Sequence, residues 1–226
     1  GPIFKKEIAA INLVIKNKKE PVTCIIGGSK ISTKINVITS LIKKVNNLII
    51  VGAMANNFFI YKNLKVGKSL FEKDTKKIIE NIYKKARENS CKIMIPEDCR
   101  VGDNFKGKGK DKNLKDIQEE EIILDIGENT IKNICEVIDQ SNTVFWNGPA
   151  GYFENENFAK GTLSIAEKIS KNTVEKSLIS VIGGGDTLAA INKCKTKPSF
   201  SHLSTAGGAF LEYLEGKDLP GISVLK

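Results

Sequence analysis

Val181-Ile182-Gly183-Gly184-Gly185-Asp186-Thr187 is an apolar run that breaks into three glycines, an acid and a hydroxyl. Four other stretches follow the same plan. They are Cys24-Ile25-Ile26-Gly27-Gly28-Ser29-Lys30, Ile49-Ile50-Val51-Gly52-Ala53-Met54, Val144-Phe145-Trp146-Asn147-Gly148-Pro149 and Leu203-Ser204-Thr205-Ala206-Gly207-Gly208. After each comes a helix-like segment. Glycine at the C-terminal end of a strand lets backbone N–H groups approach an anion with no Cβ in the way. The following helix adds its positive N-terminal end at the same place. In an open parallel sheet these ends gather along one edge, where ligands bind. The chain therefore reads as a phosphate-binding α/β domain.

Working outward, strand-like runs are predicted at 22–26, 47–51, 91–95, 143–146 and 178–182, with a short one near 201–204. Helical patterns lie between them, near 31–43, 54–61, 73–88, 128–138, 159–170 and 187–192, and after Gly208. Phe4, Ile8, Ile11 and Ile15 give helical spacing to residues 4–16, with Pro21 as the stop. Strands alternating with helices indicate βα units and a parallel sheet. Residues 98–122 break the rhythm: Gly102, Gly107 and Gly109 sit among charges, and a small hairpin excursion is expected there, returning at Ile122-Ile123-Leu124-Asp125. There is no internal repeat, and one domain fits better than two.

The chain has 226 residues, 41% of them hydrophobic, and a net charge of +9. No apolar run approaches the roughly 18–20 residues of a membrane span, so no membrane partner is expected. Gly1-Pro2 read as the scar of a cleaved tag. The positive charge is nearly all lysine; Arg87 and Arg100 are the only arginines. Lysines dispersed along amphipathic helices, with no interleaved aromatics, argue for solvated surface and against a nucleic-acid partner. The alternative class is a non-enzymatic module binding RNA or polyphosphate. Cys24, Cys91, Cys99, Cys135 and Cys194 make no C-x-x-C pair, and His202 is the lone histidine. A zinc site or disulfide framework is thus disfavoured, and reduced thiols in a cytoplasmic protein are expected. No G-x-x-x-x-G-K-[ST] or G-x-G-x-x-G is present, which argues against P-loop and dinucleotide sites.

Five segments together resemble the phosphoglycerate kinase family in its C-terminal, nucleotide-binding half. They are GGSKISTKI (27–35), VGAMANNF (51–58), ILDIG (123–127), FWNGPAGYFE (145–154), and GGGDT (183–187) paired with SHLSTAGGAFLEYLEG (201–216). Nothing matches the family's other domain, which holds 3-phosphoglycerate. Residues 3–20 resemble the helix between the domains, so the expected division is a helix over 1–20 and a nucleotide-binding domain over 21–226.

Lys30 and Lys34 are four apart, so both ammonium groups can share one helix face near the sheet edge. By position alone they read equally as surface lysines. The resemblance implies that both meet nucleotide phosphates and that Lys30 reaches the transferring group, with Gly207 and Gly208 at the facing helix end. Asp186 reads as a helix N-cap or as a carboxylate for Mg²⁺ already bound to phosphates; the resemblance implies the second. Gly27, Gly28, Gly184, Gly185 and Thr187 would supply backbone and hydroxyl contacts. Asn147, Pro149 and Glu154 match positions near the phosphates and ribose. Gly52, Ala53, Met54, Ile123, Leu124 and Tyr152 would line an apolar adenine slot. Ala53, Ile123 and Ala206 stand where the family commonly has glycine. Trp146 reads as core and His202 as structural.

The expected fold is a three-layer α/β/α sandwich with a six-stranded parallel, doubly wound (Rossmann-like) sheet. The resemblance implies binding of ADP or ATP with Mg²⁺. It implies, for the whole enzyme, reversible phosphoryl transfer from 1,3-bisphosphoglycerate to MgADP, giving 3-phosphoglycerate and MgATP. This chain alone is expected to be a monomer that binds nucleotide with little or no turnover.

Overall fold

The computed structural model describes residues 5–205 and 208–216. Its strands are β1 (Val22–Ile26), β2 (Asn47–Ile50), β3 (Lys92–Met94), β4 (Asp98–Gly102), β5 (Lys110–Asn113), β6 (Ile122–Ile126), β7 (Thr143–Asn147), β8 (Ile179–Gly183) and β9 (His202–Leu203). Its helices are α1 (Lys5–Ile15), α2 (Ile31–Ile42), α3 (Ala55–Tyr61), α4 (Lys76–Glu88), α5 (Glu128–Gln140), α6 (Lys160–Glu175), α7 (Gly185–Ile191) and α8 (Gly208–Leu214).

Six strands form one parallel sheet in the order β3-β2-β1-β7-β8-β9. The strand order reverses between β1 and β7, which lie side by side. Such a reversal opens a crevice beyond the strand ends. Register brings those ends level: Ile26 pairs with Ile50 on one side and Asn147 on the other, and Asn147 pairs with Gly183.

Alternation along the strands divides the core into two. Cys24 and Ile26, Leu48 and Ile50, Phe145 and Val181 pack on one face, under Ile11, Ile38, Leu41, Phe58, Ile79 and Phe210 of α1, α2, α3, α4 and α8. Ile25, Ile49, Val144, Trp146 and Ile182 pack on the other, against Ile134, Ile138, Ile165, Ile169 and Ile191 of α5, α6 and α7. Strands buried on both faces lose the polar alternation of half-exposed ones, which is why VTCII and TVFWN read as near-continuous apolar runs. Phe145 and Phe210 stack with ring centroids 5.4 Å apart.

The excursion is larger than a hairpin. β5, β4 and β6 form a three-stranded antiparallel sheet, with a register irregularity between Arg100 and Val101. α1 stops at Ile15, well before Pro21. The polar run Lys16–Glu20 gives it nothing apolar to bury, and the N–H groups of Lys16 and Asn17 both turn onto Asn12 O. α6 begins at Lys160; Gly161 is admitted because its N–H donates to Asp125 Oδ2 at 3.0 Å, where a Cβ would lie 2.4 Å from Asp125 Oδ1. Among the described residues no helix is long and apolar enough to cross a membrane. Ala206 and Gly207 lie outside the described residues.

Candidate nucleotide site

A cleft of about 470 Å³ opens at the C-terminal edge of the large sheet, between it and the three-stranded sheet. Ligand pockets commonly have such a size, with apolar walls and few polar anchors. Of the residues the sequence singles out, Gly28, Gly52, Ala53, Ile123, Leu124, Pro149, Tyr152, Glu154 and Asp186 line it, while Gly27, Lys34, Asn147, Gly184 and Gly185 do not. Two further walls were not foreseen. Phe105 comes from the excursion and meets Tyr152 edge-on at 5.2 Å, and Leu70 comes from the loop between α3 and α4. Their exposure, 51% and 57%, is the signal that could have found them, but it is a property of the folded chain.

Tyr152 N donates to Leu124 O at 2.7 Å, which fixes the aromatic wall to β6. Asp125, next along β6, also lines the cleft. Burial pushes its carboxyl up to about 7, although N–H groups of Gly161 and Ile126 donate to it. Met54 does not reach the cleft: it is fully buried in the core beneath Gly28.

The strand-end side of the cleft is built from glycine turns with different duties. Gly27 and Gly148 press backbone to backbone: a Cβ on Gly27 would lie 2.3 Å from Pro149 O, and one on Gly148 2.3 Å from Gly27 O. Gly27 N also donates to Asn147 O at 2.8 Å. Gly27 is therefore required by the join between β1 and β7. Gly184 caps α7 with φ +98°, the left-handed region that favours glycine. Gly185 faces open space.

Lys34 is half-buried, its Nζ 3.5 Å from Asn147 Oδ1. Burial lowers its pKa from the ordinary lysine value, with Glu215 acting in the opposite sense. Lys30 is exposed and holds the N-cap position of α2, outside the cleft lining. Asp186, second in α7, is exposed and its carboxylate forms no hydrogen bond or ion pair with a described residue, so it is not spent as a cap. Thr187 departs from expectation. It is fully buried, and its Oγ1 accepts from Gly148 N at 2.7 Å, so it braces the turn after β7 instead of facing solvent. Gly208 starts α8, while Gly207 lies outside the described residues.

Among the described residues no group of three or more His, Cys, Asp or Glu could hold a metal ion alone. The single carboxylate of Asp186 fits a different donor set, in which phosphate oxygens and water complete the shell of Mg²⁺.

A family model described as phosphoglycerate kinase matches residues 1–217. The chain belongs to the phosphoglycerate kinase family. The phosphoglycerate kinases of Zymomonas mobilis and Francisella philomiragia are each 42% identical to it, over the whole of this chain and 57% of their own length. Among solved structures, phosphoglycerate kinase from Coxiella burnetii superposes with a TM-score of 0.91 at 38% identity, covering 98% of this chain and 57% of that one. The Pyrococcus horikoshii enzyme gives 0.78 at 27% identity, covering 98% and 55%. The chain thus spans little more than half the length of the phosphoglycerate kinases it matches.

Proposed function

We propose that this chain is the nucleotide-binding half of a phosphoglycerate kinase, with residues 1–20 as the helix between domains and 21–226 as the nucleotide domain. The observation that carries the reading is Asp186: an exposed carboxylate with no described protein partner, on the rim of an apolar cleft at the strand-order reversal. Adenine fits between Leu124, Tyr152 and Ala53, the ribose hydroxyls against Glu154, and the phosphates over Gly28, Gly185, Lys34 and Asn147. Bound Mg²⁺ would neutralise phosphate charge beside Asp186.

In the whole enzyme, the bond between the acyl oxygen of 1,3-bisphosphoglycerate and its phosphorus breaks as a β-phosphate oxygen of ADP bonds to that phosphorus. The leaving group is the carboxylate of 3-phosphoglycerate. Negative charge spreads over the equatorial oxygens of the moving group, so fixed cations and N–H groups stabilise it. Lys30 and the Gly207-Gly208 helix end are suited to that duty. The acceptor half and the closure that aligns the substrates belong to the rest of the enzyme. This chain is expected to be a cytoplasmic monomer.

Calorimetric titration of the 226-residue chain with MgADP tests the reading. One-to-one saturable binding is expected, weakened about tenfold by Lys34→Ala or Asp186→Ala, the size of a lost charge-assisted contact. A coupled assay should show no turnover. A folded chain that does not bind MgADP, or that binds it regardless of both substitutions, would reject the proposed site.

A further inference from the structure

α2 starts without a cap of its own. Its N-cap residue is Lys30, in extended backbone conformation, and no side-chain cap is formed locally. The first N–H groups of a helix need partners. They find one in Glu72, forty residues along the chain. Ser32 N donates to Glu72 Oε1 at 2.9 Å and Ser32 Oγ to Glu72 Oε2 at 2.6 Å. The Ser32 hydroxyl and amide, then the Ile31 amide and the Lys30 charge, all draw the Glu72 carboxyl below its ordinary range.

Glu72 is itself held. Its N–H donates to Oδ1 of Asn57 at 2.9 Å, and Asn56 Nδ2 donates to Leu70 O at 2.9 Å. Asn56 and Asn57 are each 1% exposed and sit on α3. One short loop therefore supplies an apolar wall of the cleft through Leu70 and grips the start of α2 through Glu72.

We propose that Glu72 is a positioning residue for the phosphate end of the cleft: by holding the first turn of α2 it sets where Lys30 and Lys34 stand against the terminal phosphates of a nucleoside diphosphate. This rests on the nucleotide reading above. A carboxylate beside Lys30 repels an incoming phosphate, so charge alone and positioning predict opposite signs. Removing a mere charge would tighten binding; removing a positioning group weakens it.

Titrating the 226-residue chain with MgADP and, separately, with adenosine distinguishes them. Glu72→Ala is expected to weaken MgADP about fivefold, the typical cost of one helix cap. Adenosine, which has no phosphate for Lys30 or Lys34 to meet, should bind unchanged. Glu72→Gln keeps an acceptor for Ser32 N and should recover most of the loss. Amide exchange at Ile31 and Ser32 should quicken in the alanine variant and much less in the glutamine one. MgADP binding to Glu72→Ala as tight as to the wild type would overturn the inference, and so would equal losses for adenosine and MgADP. A wild-type chain that binds neither ligand would instead overturn the nucleotide reading, and this inference with it.

Discussion

An added Cβ at residue 27 would lie 2.3 Å from a backbone oxygen, whereas one at residue 185 would meet nothing within 4 Å. The two glycines therefore fail differently when replaced. Gly27→Ala forces apart the backbones joining β1 and β7 and should cost about 1–3 kcal/mol of stability in urea unfolding. Gly185→Ala should leave stability unchanged or slightly raised, since alanine is the better helix former by about 1 kcal/mol. Calorimetry should nevertheless show weaker MgADP binding, because the methyl projects into the open space proposed for the phosphates. Lys34 gives a third outcome. Its lowered pKa means that the native state binds the proton less tightly than the unfolded chain. The penalty is present below the folded pKa and is relieved as pH rises through it towards the ordinary lysine value. Lys34→Met should accordingly raise the thermal midpoint at neutral pH while weakening MgADP binding.

At the scale of elements, helix starts in this protein are secured from a distance. Asp98 at the start of β4 accepts from Asn129 N and Thr130 N, both at 2.9 Å, and from Thr130 Oγ1 at 2.7 Å, so it caps α5. Its carboxylate fills the space beside Gly127, where a Cβ would lie 2.3 Å from Asp98 Cγ. The glycine of the ILDIG segment is thus explained by a cap, with no ligand required. Asp98→Ala should cost about 2 kcal/mol in urea unfolding, the upper range for a lost cap, since the group is buried. On the far side of the sheet, α1 presents Glu7, 1% exposed, with His202 Nε2 2.9 Å from its Oε2 and Thr205 N 3.2 Å from its Oε1. Burial would raise the Glu7 carboxyl, but hydrogen bonds with His202, Ser204 and Thr205 bring it below the ordinary value. Its stabilisation is present above the unfolded value of about 4.3 and is lost as pH falls through the lower folded value. The urea midpoint of wild type should drop across that window, and that of Glu7→Gln should drop less. These long-range caps were not legible in the sequence, because nothing local marks Glu72, Asp98 or Glu7 as a partner of α2, α5 or the Ser204-Thr205 turn. The six parallel strands were legible: β1, β2, β7 and β8, buried on both faces, carry a dense apolar signal, and the partly exposed edge strands β3 and β9 a shorter one. β5, Lys-Asp-Lys-Asn, carries none, so the sequence shows only a small hairpin excursion where a three-stranded sheet forms. That Asp186, Glu154 and Tyr152 meet at one cleft was legible through the motifs of the resemblance. Thr187 was misread because a hydroxyl after glycines looks the same whether it turns out to solvent or in to Gly148.

For the whole molecule, five thiols are distributed by burial. Burial pushes Cys99 up to about 12 and Cys91 to about 11, and Cys24, fully buried, is also raised. Thiolate is the reactive form; burial raises Cys135 and Cys194 as well, but these two are only half-buried, so a reagent can reach them. A disulfide-exchange reagent should modify only Cys135 and Cys194 in the native protein and reach the other three upon unfolding, as mass spectrometry of the modified chain can count. The order β3-β2-β1-β7-β8-β9 also bears on how the chain is made. Residue Cys24 takes its central pairing from Phe145, so β1 leaves the ribosome long before the strand that completes it. Until β7 emerges, nascent β1 (Val-Thr-Cys-Ile-Ile) has one unpaired, mostly apolar edge, the kind of surface that recruits other chains. The hazard for this fold thus lies in translation: slowing synthesis between β3 and β7 should increase the demand for chaperones, even though the finished sheet buries that edge completely.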